Sequence, residues 1–475
     1  MTSALTSKDR YHTAVIGAGS GGLTVGIGLS ALGRRVAVIE GNAVGGDCTN
    51  VGCIPSKSLI HLVNAHGGQW TPAQIFAEVR AKRDALRDKE THEVGHTQNL
   101  YLIFGWARFR GPKRLQVSLR EGGQREIEAK HIVIASGSRP HQIEIPGLPP
   151  KRSLTNETLF DLTEAPKHLV IVGAGVVAME MASAFRKLGS AVTILARSER
   201  VLSSMHTDVS TTMQIALAAN GTTVLTLTQP VSYDAANLSL CVAVKGRTQT
   251  LVGVDYVLQA IGRDLNIDKL DLDKAGIPFD EHGIHVDPFG QTRTNGVFAI
   301  GDVTPTSHHT HSANAQGRRV SQRIHLPLLP AFGREPLFPT AIFSDPEVAH
   351  VGMSAAEIAM HCHPNVVLNL RFEMKDLDRG YTDQVEHGFV LVQAIRLTGT
   401  IIGATLIGPR ATELISVFTL AIERGISLFQ LYRIVYPYPT FAGGIGKIAD
   451  AFMRNTLPNL PRELLTYIRY RFAKP

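Results

Sequence analysis

An α/β fold with two separate strand–turn–helix–strand units is what this 475-residue sequence predicts, on three observations. The first is a repeat. AVIGAGSGGLTVGIGLSALGRRVAVIE at 14–40 and LVIVGAGVVAMEMASAFRKLGSAVTILAR at 169–197 share one order: short apolar strand, glycine turn, amphipathic helix, second apolar strand. The second is length, which exceeds what one hydrophobic core supports and points to about three domains. The third is the 44 glycines, more than ordinary turns need, so backbone must approach itself or a ligand closely at several places.

Each unit carries GxGxx[GA] between its first strand and its helix, the dinucleotide-binding pattern in its proper context. Gly17 and Gly173 make the tight turn. Gly19 and Gly175 let the backbone approach a pyrophosphate, which rests on the helix N-terminus, and Gly22 and Ala178 let the helix lie close to the strand. The first unit ends in Glu40, a carboxylate placed to accept from ribose hydroxyls, which suits the ADP half of FAD. At the matching place in the second unit stands Ala196, followed by Arg197 and, close by, Arg200. Loss of the acid and gain of guanidinium groups suit a 2′-phosphate, so the second site is expected to take NADPH in preference to NADH.

Charge and cysteine content exclude several classes. The net charge is +7 but scattered, without the Lys/Arg stripe of a nucleic-acid binder. The N-terminal MTSALTSKDRYH has no apolar core for a signal peptide, and no uncharged apolar run reaches spanning length; the expectation is a cytoplasmic enzyme. Four cysteines do not make a secreted disulfide scaffold. Two of them, Cys48 and Cys53 in GGDCTNVGCIPSK, form a close pair that in such a compartment is redox-active or metal-binding. Zinc would need two more ligands at finger spacing, and none is there, so no resident metal is expected.

These motifs together resemble the FAD-dependent pyridine nucleotide-disulfide oxidoreductases, which include lipoamide dehydrogenase, glutathione reductase and mercuric reductase. The resemblance runs from about residue 12 to about 455. It also rests on IVIASGSRP (132–140, with Gly137), LQAIGRDLN (258–266, with Gly262), TNGVFAIGDV (294–303, with Gly301 and Asp302), FSDPEVAHVG (343–352) and GATLIGPRATELI (403–415). It implies two Rossmann-like nucleotide-binding domains and a C-terminal α+β interface domain. The expected boundaries are FAD domain 1–164 and 266–338, NAD(P) domain 165–265, dimerisation domain 339–455, and a basic tail 456–475. It implies a homodimer whose C-terminal segment completes the partner's site. Cys53 then faces the flavin as the charge-transfer thiol and Cys48 is the interchange thiol, with Gly46 in the same motif. Lys57 stands near the flavin N5 and Glu180 is its carboxylate partner. Asp302 binds the ribityl or pyrophosphate region. Val176 leaves open a nicotinamide pocket that an aromatic residue gates in some members.

Two departures narrow the activity. Many disulfide reductases of the family carry a His–Glu acid–base pair near the C-terminus; in YPYPTFAGGIGK (436–447) Tyr438 and Gly443 occupy those places. A phenol, ionising near ~10, is a poor base at neutral pH. Tyr438 and the Ala196–Arg197 pair are similar to mercuric reductase, although the C-terminal Cys pair of that enzyme is missing, Cys241 and Cys362 being single and distant from the C-terminus. The expectation is electron flow from NADPH through FAD and Cys48–Cys53 to a small acceptor such as a soft metal ion. The alternatives are a dihydrolipoamide dehydrogenase or other disulfide reductase, and a partner-binding flavoprotein that has lost catalysis. Three clusters stand apart: His308, His309 and His311; His361, Cys362 and His363; and the tail RELLTYIRYRFAKP, with Leu464, Leu465, Ile468 and Phe472 at helical spacing. The first two read either as metal ligands or as helix boundaries. The tail reads as a helix docked on the dimer or a peripheral membrane contact.

Overall fold

Alternating apolar residues in the first strand give the sheet two buried faces. In the computed structural model, which describes residues 9–305, 309–327 and 336–473, the strand Arg10–Ile16 sends Val15 to one core and Ala14 and Ile16 to another. The neighbouring strand Val36–Glu40 repeats the pattern, Val36 and Val38 against Ala37 and Ile39. Such near-continuous apolar strands belong to parallel sheets covered on both sides.

The chain divides into two compact units. The first comprises residues 1–142, 154–164 and 261–336; the second comprises 143–153, 165–260 and 337–475. In the first, Arg10–Ile16 lies parallel between Val36–Glu40 and Gln124–Ile134. The strand Leu100–Gly111 pairs parallel with Val36–Glu40 through its first half and antiparallel with Arg114–Leu119 through its second. Its length of 12 residues lets it serve both pairings. The helix Ser20–Ala31 covers one face and packs on the helix Thr310–His325, where a Cβ at Gly317 would stand 2.9 Å from the Gly21 carbonyl oxygen.

In the second unit the strands Thr223–Thr226, Ala191–Ala196, His168–Val172 and Tyr256–Gln259 lie side by side in that order, all parallel. The C-terminal part is a five-stranded antiparallel sheet. The helices Ala411–Arg424 and Gly443–Thr456 bury Ile415, Phe418, Ile445, Ile448 and Phe452 in its core. Segments 165–260 and 337–475 fall into one unit, tied at the helix Val176–Lys187. The buried Glu180 accepts from the Phe343 amide at 3.0 Å, Ser183 from the Asp345 amide at 3.2 Å, and Lys187 pairs with Asp345 at 2.6 Å. No helix among the described residues is long and apolar enough to cross a membrane.

Candidate active site

The first glycine turn separates the glycines that the fold requires from the one that a ligand requires. Gly17 has φ +105°, and a Cβ there would overlap the Ala135 carbonyl. A Cβ at Gly22 would overlap the Gly17 carbonyl oxygen. Gly19 differs: its backbone is extended (φ −77°, ψ −176°), and the nearest heavy atom to an added Cβ is the Gly46 α-carbon at 3.8 Å. Gly46, at φ +58°, closes the other wall, since its own Cβ would lie 2.8 Å from the Gly19 α-carbon. The helix that Gly19 opens has no side-chain cap and no acid in its first turn, so its N–H groups remain available to an anion. Glu40 accepts from the Ala18 and Asn42 amides, both at 2.7 Å, and burial raises its pKa against the pull of those N–H groups. A bare cradle, an uncapped helix end and a held carboxylate fit the ADP half of FAD.

Beside this cradle, four residues distant in sequence form one polar network. Asp302 accepts from the Ser138 hydroxyl and lies 3.7 Å from Arg263 Nε. Arg263 Nε donates to Ser138 Oγ at 2.6 Å, and its Nη2 donates to the Ser138 carbonyl at 2.8 Å and to the Asp47 carboxylate. Burial raises the Asp47 pKa, with Arg263 opposing it. Gly137 and Gly262 flank this crossing at φ +69° and +128°. Of the network, only Asp302 was singled out from sequence. Arg263, Ser138 and Asp47 lay inside the quoted motifs, and an arginine following a glycine turn was the signal available.

Asp47 leads directly into the cysteine pair. Cys48 is in the short helix Gly46–Asn50 and Cys53 is the first residue of the helix Cys53–His66; both carry half-buried thiols. The two side chains hydrogen-bond each other, which with burial pushes the Cys48 thiol well above the ordinary range. The ionisations of the two thiols are coupled: with a proton held between two sulfurs, loss of the second is costly. Thr310 Oγ1 sits 3.5 Å from Cys53 Sγ. That threonine is the third residue of the HHTH run, so its role was hidden among the histidines. His308 lies outside the described residues. The His309 and His311 rings are 5.2 Å apart, and no group of three or more metal-ligating side chains occurs among the described residues. Lys57 lies one turn beyond Cys53 in the same helix, half-buried.

In the second unit Gly173 makes the turn at φ +113°, Gly175 opens an uncapped helix with no acid in its first turn, and Ala178 is fully buried against the strand. Val176, the first helical residue, is 38% exposed. Ala196 is buried at the strand end and Arg197 is exposed. Arg200 is engaged with its own loop, donating to the Ser203 and Met205 carbonyls at 2.8 and 3.3 Å and to Thr207. Of the two arginines, Arg197 therefore is the exposed one that does not hold the loop. Tyr438 is 80% exposed, and Gly443 begins the helix Gly443–Thr456, with the nearest heavy atom to an added Cβ at 3.8 Å. His361 ends the helix Ala355–His361 and Cys362 caps it; His363 accepts from the Asn365 amide and stacks on Tyr470 at 4.5 Å. That second cluster is a helix boundary.

The profile of the family described as pyridine nucleotide-disulphide oxidoreductase matches residues 11–317, and that of its dimerisation domain matches residues 338–449. The chain belongs to this family. Among relatives of this pyridine nucleotide-disulphide oxidoreductase is dihydrolipoyl dehydrogenase 3 of Pseudomonas aeruginosa, 32% identical over 91% of this chain and 96% of the relative. Mercuric reductase of Streptomyces lividans is 30% identical over 94% and 97%. The Cu(II) complex of an HOCl-induced flavoprotein disulfide reductase from Escherichia coli superposes with a TM-score of 0.85 at 25% identity, over 93% of this chain and 99% of that one. The protein is accordingly a flavoprotein disulfide oxidoreductase using FAD and a nicotinamide nucleotide, and its dimerisation domain supports a homodimer.

Proposed function

We propose that this oxidoreductase moves electrons from NADPH through FAD to a Cys48–Cys53 disulfide and on to a small acceptor, a soft metal ion. The observation that carries this reading is the pair of side chains at 438 and 443: an exposed phenol and a glycine. Neither offers the imidazole–carboxylate couple that a large disulfide substrate needs for proton transfer. Bound FAD supplies the conversion of a hydride donation into reduction of a disulfide. The chain's own residues do the rest. The Gly19–Gly46 cradle and Glu40 seat the nucleotide, Lys57 supplies positive charge one turn beyond Cys53, and Arg197 selects the 2′-phosphate. A reduced Cys48–Cys53 pair offers two sulfur ligands to a soft cation, losing its protons as the metal binds. Two electrons then reduce Hg²⁺ to the metal, or two Cu²⁺ to Cu⁺, and the disulfide re-forms. The Escherichia coli relative, solved as a Cu(II) complex, supports metal binding by a protein of this fold.

A second reading, dihydrolipoamide oxidation, is favoured by the 32% identity to dihydrolipoyl dehydrogenase 3. Anaerobic titration with NADPH tests the electron path. The flavin band should bleach and a long-wavelength thiolate–flavin band should grow, and Cys53→Ser should abolish the latter. Persistence of that band in Cys53→Ser removes Cys53 from the path.

A further inference from the structure

The terminal helix Leu460–Tyr470 is amphipathic the wrong way round. Its inward face is polar and aromatic: Glu463 is buried and receives two bonds from Arg396 Nη1, at 2.7 and 2.6 Å, and Tyr470 stacks on His363. Its outward face is apolar. Leu464, Leu465, Ile468 and, just past its end, Phe472 are 44%, 69%, 61% and 84% exposed, and Leu457 and Leu460 extend the stripe. At 3.6 residues per turn, Arg462 and Arg469 border the stripe on one side, and Arg471 stands at its other edge, between Leu460 and Leu464. The only acid on the helix, Glu463, is turned inward to Arg396.

We propose that this face docks on an anionic lipid bilayer, lying in the interface with its arginines at the headgroups. Charge decides the occupant. An isologous contact with a second copy would bring arginine borders together with no carboxylate from this helix to receive them, whereas anionic headgroups complement all three. A protruding stripe of leucines and a phenylalanine between cationic borders is the form that binds bilayer interfaces. Eleven residues span about 16 Å, too short to cross the ~30 Å hydrocarbon layer, so the helix rests on the surface. The Glu463–Arg396 pair fixes which face turns outward. The helix lies beyond residue 449, where the match to the dimerisation domain ends.

The test uses the intact flavoprotein and flotation with vesicles of phosphatidylglycerol or of phosphatidylcholine. Binding is expected to phosphatidylglycerol, weakening with salt. Ile468→Glu with Leu465→Glu should abolish it, and Arg462→Gln with Arg469→Gln and Arg471→Gln should weaken it on the order of 100-fold. NADPH oxidation should be unchanged in both variants, showing that they fold. Failure of the wild type to float with phosphatidylglycerol overturns the proposal, as does equal binding to phosphatidylcholine. Conversion of a dimer to a monomer by Ile468→Glu with Leu465→Glu, seen in sedimentation velocity, assigns the face to a second copy instead and also overturns it.

Discussion

Replacing Gly19 and Gly22 separately by alanine distinguishes a glycine kept for a ligand from one kept for the fold. At Gly19 the backbone is extended, a conformation any residue adopts, and the added Cβ meets nothing closer than 3.8 Å, ordinary van der Waals contact. The apoprotein should therefore unfold within about 0.5 kcal/mol of wild type, or be slightly stabilised by the lost chain entropy. The methyl group would still stand where the backbone must meet the pyrophosphate. An overpacking cost of about 1–3 kcal/mol corresponds to about 5- to 150-fold weaker FAD binding. At Gly22 the Cβ would overlap the Gly17 carbonyl oxygen, a backbone atom at a turn already held at φ +105°. That variant should lose about 1–3 kcal/mol of apoprotein stability before any ligand is added. The assay pairs urea unfolding of flavin-free protein with FAD reconstitution followed by fluorescence. A Gly19→Ala protein that binds FAD as tightly as wild type would refute the placement of the pyrophosphate at this turn.

Three further outcomes are expected. Arg197→Ala should raise KM for NADPH about tenfold and leave NADH unaffected, whereas Arg200→Ala should affect both nucleotides alike, because its guanidinium holds the loop. Tyr438→His combined with Gly443→Glu should raise dihydrolipoamide turnover about 10²-fold, since proton transfer by a positioned acid–base group contributes that much or more and position 443 has room for a side chain. His131 is held down to about 4 by burial and by neighbouring His12, Lys130, Lys113 and Arg34. Its folded pKa lies below the ordinary 6.5, so its neutral form's contribution is intact above that value and is lost as pH falls toward 4. Partly exposed, it accounts for about 1–2 kcal/mol of that loss; His131→Gln should flatten the unfolding free energy from urea titrations between pH 7 and 4.5 by that amount.

The glycine turns and the strands that flank them were legible because they depend on local rules: a residue with no Cβ where backbone meets backbone, and apolar runs for a doubly covered sheet. Glu40 and the Cys48–Cys53 pair were legible for the same reason, each fixed by spacing within one motif. The network of Asp47, Ser138, Arg263 and Asp302 was not, because positions that far apart meet only through the sheet topology. Thr310 was masked by its neighbours: histidines attract a metal reading, yet the hydroxyl between them faces Cys53. Arg197 and Arg200 looked equivalent as charges, and only the loop geometry separates them. The terminal helix showed its apolar spacing in the sequence. Spacing alone could not say which face turned inward, since that depends on Arg396 and His363, contributed by chain far upstream.

The proposed acceptor is a soft metal ion reduced through Cys48 and Cys53. The most direct measurement is steady-state NADPH oxidation under anaerobic conditions with Hg²⁺ or Cu²⁺, set against dihydrolipoamide with NAD⁺, in wild type and Cys48→Ser. Metal-dependent oxidation that Cys48→Ser abolishes is expected, with little dihydrolipoamide turnover. Dihydrolipoamide oxidation at about 10 s⁻¹ or more, without any metal-dependent NADPH oxidation, would contradict it.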